Sequence, residues 1–73
     1  IDINSHFGAL FHELGVTYEL EKEYDRAIET YLRGIDQLPN DTLLRSRLSS
    51  LLIQQDRLDE ALIHLRELEK HDE

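Results

Sequence analysis

One apolar pattern is written twice in this chain, the second copy a period of about 34 residues after the first. Gly8 to Asp41 carries Phe11, Leu14, Gly15, Tyr18, Ala27, Tyr31, Gly34 and Pro39 in order. At the matching positions of Thr42 to Glu73 stand Arg45, Leu48, Ser49, Leu52, Ala61, Leu65, Leu68 and Glu73. A unit of this length is one supersecondary element that cannot hide its apolar face alone. It must stack on a neighbour, which leaves another surface free for a partner.

Each unit reads as two helices. Phe7, Leu10, Phe11, Leu14 and Tyr18 fall at three- and four-residue steps, which predicts a first helix over residues 5–20 with those side chains on its core face. Asn4 or Ser5 can cap it, and Ile1 to Ile3 read as a frayed lead-in. After the polar run Glu21-Lys22-Glu23, the residues Tyr24, Ala27, Ile28, Tyr31 and Ile35 resume the period, with Glu29 and Arg33 spaced for an exposed ion pair. Leu38-Pro39-Asn40-Asp41 stops the helix, and Asn40 and Asp41 can cap the next. That helix carries Leu44, Leu48, Leu51 and Leu52, turns at Gln54 to Arg57, and returns through Leu58, Ala61, Leu62, Leu65 and Leu68 before a charged end, Glu69 to Glu73, expected to fray. β-branched residues never alternate with polar ones over a strand length, so the fold class is all-α.

At 73 residues the chain forms one small domain, residues 1–73, divided into a lead-in over 1–7 and units over 8–41 and 42–73. It contains no Cys, so neither disulfides nor thiolate metal sites can staple it. Stability must come from helix packing, further chain or self-association. Sixteen acidic against eight basic residues give a net charge of −8, whose field repels phosphate backbones and anionic lipid surfaces. Nucleic acid is therefore excluded as the expected partner. Leu51-Leu52-Ile53 is far short of the roughly 20 apolar residues a spanning helix needs, so no membrane insertion is expected and the chain reads as soluble. With no Met and Ile1 at its head, it reads as an internal piece or processed product.

The doubled pattern resembles the tetratricopeptide repeat family over nearly the whole chain. In the first copy Phe11 stands where the family often has Trp, followed by Leu14-Gly15, Tyr18, Ala27, Tyr31 and Pro39. The second keeps Leu48 and Ala61 but has Arg45 for the aromatic, Ser49 for Gly and Glu73 for the terminal Pro. The resemblance implies an α-α superhelix, a solenoid of two antiparallel helix-turn-helix hairpins. Small residues let the paired helices approach, Gly15 against Ala27 and Ser49 against Ala61.

It also implies a function without catalysis: a scaffold that binds a peptide or helical segment of a partner protein through the concave face of its first helices. The positions carried onto that groove are His12, Val16, Glu19 and Leu20 in the first copy. In the second they are Leu43, Ser46, Ser50, Ile53 and Gln54. This mixture of apolar and neutral polar groups suits a segment with apolar anchors. The family's carboxylate clamp for acidic chaperone tails would need Lys and Asn at His12 and Val16 and Asn at Arg47, and none matches. An alternative reading is self-association, or packing on neighbouring repeats, through an apolar edge formed by Phe7, Leu62, Ile63 and Leu65.

Other chemistry finds little purchase. His64 and His71 are two helical turns apart, roughly 10 Å along the axis, and His6 and His12 lack chelate spacing. The acidic run Glu19, Glu21, Glu23 and Asp25 falls on an exposed turn, where solvent leaves carboxylates ordinary. No nucleophile elbow or Gly-rich phosphate loop occurs, so no enzyme activity, cofactor or metal is expected.

Overall fold

The computed structural model describes residues 3–70, with side chains from residue 8 onward. Four α-helices follow one another: α1 Ile3–Leu20, α2 Tyr24–Gln37, α3 Thr42–Gln54 and α4 Leu58–Lys70. No strand occurs among the described residues, and the all-α reading holds. At the ends the helices run further than periodicity suggested. Asn4 and Ser5 lie inside the first turn of α1 rather than capping it, and Glu69 and Lys70 belong to α4. Residues 1–2 and 71–73, also expected to fray, fall outside the described residues.

The turns that close the two helix pairs are the same turn. Lys22 and Asp56 stand one period apart, both in the left-handed region, with φ of 62° and 64°. At each, the following N–H reaches back five residues, Glu23 to the Tyr18 carbonyl and Arg57 to the Leu52 carbonyl, both at 2.8 Å. The left-handed residue itself donates to the carbonyl three residues earlier, Glu19 and Ile53 respectively, at 3.0 Å. Together these bonds form the Schellman arrangement, which satisfies the orphan carbonyls at a helix end. Glycine usually occupies this site, because an L side chain in the left-handed region costs about 1–2 kcal/mol. Lys22 and Asp56 accept that strain.

Between the pairs, Leu38 N–H still donates to the Gly34 carbonyl at 2.8 Å before Pro39 breaks the path. Of the two expected caps, Asp41 does the work: its Oδ1 accepts the Leu44 N–H at 3.1 Å and opens α3. Arg45, which replaces an aromatic in the doubled pattern, is buried and donates from Nη2 to the Pro39 carbonyl at 2.9 Å. Its role is to hold the turn.

Ala27, Ile28, Tyr31, Ile35, Leu44, Leu48, Leu51, Leu52 and Ala61 form the core, with Phe11, Tyr18 and Tyr24 packed against it. Among the described residues α1 packs along α2, α3 along α4, and both α1 and α2 meet α3, whereas α4 touches α3 alone. At Gly34 three helices converge: a Cβ there would sit 2.8 Å from Leu44 Cδ1 and 2.9 Å from Phe11. A Cβ on Gly15 would meet the Tyr31 ring at 2.3 Å, so the close neighbour of that glycine is the ring and not Ala27. Leu10 and Leu14, expected on the core face of α1, are instead half-exposed. The resulting slab measures 37 × 31 × 14 Å.

Candidate functional site: the face between α1 and α3

One hydrogen bond joins the two first helices of the pairs. Arg47 Nε donates to His12 Nε2 at 3.0 Å. For Nε2 to accept, the imidazole must be neutral with its proton on Nδ1. Beside this bridge an open depression of about 410 Å³ is lined by His12, Glu13, Val16, Thr17 and Arg47. Thr17 is tied down, its hydroxyl donating to the Glu13 carbonyl at 2.9 Å.

The nine groove positions expected from the repeat register divide into two sets. His12, Val16 and Glu19 are half-buried on α1, and the first two line the depression. Leu20, Leu43, Ser46, Ser50, Ile53 and Gln54 are exposed and lie outside its lining. Glu19 is already engaged, because the Tyr31 hydroxyl donates to its Oε2 at 2.5 Å. Burial, then the bond to Glu19 and its charge, push the Tyr31 phenol above its ordinary range, while Arg47 pulls weakly the other way. Glu19 therefore anchors α1 to α2.

Glu13 and Thr17 complete the lining without having been singled out as groove residues, and so does Arg47, named only as a mismatched position of the carboxylate clamp. A signal existed, since Glu13 and Arg47 occupy the same position of the repeat, one step past His12 and Ser46. Only the contact of α1 with α3 reveals that this step reaches the shared face.

Elsewhere the chemistry is ordinary. A second depression of about 400 Å³ lies at the paired turns, lined by Lys22, Glu23, Tyr24, Asp25, Arg26 and Gln55. Its charges of both signs pair locally, as in Arg26 with Glu23 at 3.5 Å, and Glu29 and Arg33 form their expected ion pair at 3.1 Å. Exposed pairs of this kind contribute about 0–1 kcal/mol. His64 has a buried Nδ1 with no hydrogen-bond partner, and burial together with nearby Arg45 holds its pKa below the usual imidazole value. The side chain of His6 and the whole of His71 lie outside the described residues. Among the described residues no three His, Asp or Glu gather to hold a metal ion, and no helix is long and apolar enough to cross a membrane.

Of the expected apolar edge, Leu62, Ile63 and Leu65 are exposed on α4, and the Phe7 side chain is outside the described residues. Comparison with protein-family models, with curated proteins and with solved structures returns no match for this chain.

Proposed function

We propose that the chain is a two-unit stack of the tetratricopeptide type that binds an extended or helical segment of a partner protein, without covalent chemistry, on the face between α1 and α3. The observation that carries the reading is the company kept by three exposed apolar side chains. Leu20 on α1 and Leu43 and Ile53 on α3 stay in solvent on the two helices that the polar His12–Arg47 bridge joins, while Phe11 and Tyr18 of α1 and Leu44, Leu48, Leu51 and Leu52 of α3 turn into the packing. Apolar anchors flanking a few fixed polar groups are what recognition of a short segment requires. The identical Schellman turns, one period apart, support the repeat reading independently of side-chain resemblance. The net charge of −8 favours segments whose anchors are flanked by basic residues.

The test is a displayed peptide library panned against this chain, followed by amide chemical-shift mapping of the selected sequences. Shifts should centre on Val16, Leu20, Leu43 and Ile53. Leu20→Lys, Leu43→Lys and Ile53→Lys should each weaken binding by about tenfold or more while helicity is kept, since each places a charge where an apolar contact forms. Binders that map to α4, or whose affinity ignores all three changes, would defeat the proposal.

A further inference from the structure

Inside the second helix pair two basic side chains take the places of an aromatic ring and a hydroxyl. Arg45 stands at the position of Phe11, and His64 at that of Thr30. Thr30 is buried and satisfied, its hydroxyl donating to the Arg26 carbonyl at 2.8 Å. Arg45 is 8% exposed and spends one donor on the Pro39 carbonyl. His64 is half-buried on α4 and less settled, because its Nδ1 is shut away from solvent without a hydrogen-bond partner. Buried polar atoms left in this state are rare in folded proteins, and each asks for a reason.

A neutral imidazole can leave one ring nitrogen unbonded, whereas an imidazolium carries a donor on both nitrogens and a full charge. At His64 the second donor would have no described acceptor, and the charge would face a guanidinium, which keeps its own at any ordinary pH. α3 is the one described element packed against α4, and from it comes Arg45. From α4 itself come Glu60 and Glu67, about one turn to either side. Both already serve cations: Arg57 Nη2 donates to Glu60 Oε1 at 2.9 Å, and Lys70 Nζ to Glu67 Oε2 at 2.9 Å. Their pull is the weaker one, and burial, then Arg45, hold the His64 pKa below the usual imidazole value.

We infer that His64 is an acid-operated catch: when its imidazole gains a proton, α4 swings off α3 while α1, α2 and α3 stay packed together. α4 is the element to move, because it rests on α3 alone and contributes only Ala61 to the fully buried set. The direction follows from linkage. The folded pKa lies below the unfolded value of about 6.5, so the stability that depends on neutral His64 is complete above that pH and is lost as pH falls through it toward the folded value. Release bares the apolar side of α3 on which Ala61 packs, so in mild acid the chain offers a partner a surface that is closed at neutral pH.

The experiment is amide hydrogen exchange on the whole chain at fixed ionic strength, at about pH 7.5 and about pH 5.5, a range in which ordinary carboxylates keep their charge. With rates corrected for the intrinsic chemistry, protection in α4 should fall severalfold relative to α2 at the lower pH. His64→Thr, which installs the residue of the first unit, and His64→Gln, a second side chain that does not ionise, should each hold that ratio level; the other histidines are unchanged in both. A proton NMR titration of the wild-type imidazole should find its midpoint below the ordinary value, a reading that needs neither variant to fold. A wild-type ratio that ignores pH, the same fall in a folded variant, or an imidazole that titrates at or above the ordinary value would overturn the inference. Neither substitution touches Leu20, Leu43 or Ile53, so the catch and the proposed peptide face can fail separately.

Discussion

Gly15 is the residue whose replacement is most sharply constrained. A Cβ there would enter the ring of Tyr31, which is fully buried and bonded through its hydroxyl to Glu19, so the ring has nowhere cheap to go. Overpacking of this kind costs about 1–3 kcal/mol, against about 1 kcal/mol returned when Ala replaces Gly within a helix. Gly15→Ala should therefore lose on the order of 1 kcal/mol in urea unfolding. The second unit shows how to relieve the clash, since it has Ser49 and Leu65 at the same two positions. Gly15→Ser combined with Tyr31→Leu should unfold less easily than Gly15→Ser alone; equal or additive losses would mean that the two sites do not share space. Tyr31 also sets an alkaline limit. Its folded pKa is raised above the unfolded value of about 10, so the stability it contributes is complete below that pH and is lost as pH rises through the folded value. Alkaline unfolding monitored by circular dichroism should thus begin later for Tyr31→Phe, which has no phenol to ionise.

At the level of the helices, α3 depends on its first turn more than its length suggests, because it is the helix that contacts all three others. Asp41→Ala removes the side chain that accepts the Leu44 N–H and should lower stability by about 0.5–2 kcal/mol, read from a thermal melt. An unchanged melting temperature would show that solvent satisfies the turn equally well. This cap was legible in the sequence, as were the existence of four helices, the positions of both turns and the Glu29–Arg33 pair, because each follows from spacing within a few residues. What spacing could not tell was which apolar residues stay wet. Leu10 and Leu14 share a helical stripe with Phe11 and Tyr18, and a stripe that wide faces two directions at once: one side meets α2, and the other meets nothing among the described residues. The candidate site divided for the same reason. His12 and Val16 line the depression between α1 and α3, and Arg47 and Glu13 join them there through the packing of one helix on the other, which no local pattern encodes.

Across the whole molecule stability should fall off toward the C-terminal end. α2 and α3 are each packed on two sides, and α4 rests on α3 alone, contributing only Ala61 to the fully buried set. Hydrogen exchange on dilute protein should find the slowest amides in α2 and α3 and the faster ones in α4, by about tenfold or more, because sub-global opening frees the least-packed element first. Equal protection in α3 and α4 would indicate that the slab opens as one unit. The net charge pushes the same way, as mutual repulsion of acidic groups weakens the compact state, and moderate salt should slow exchange throughout.

The order of contacts along the slab carries one more consequence. Each helix rests mainly on the one delivered just before it, and the longest reach, from α1 to α3, spans a single unit. Chains wired so locally fold fast. During synthesis, which releases residues at roughly 5–20 per second, every newly emerged helix would find its seat already built, so the growing polypeptide need never wait with a large greasy surface bare.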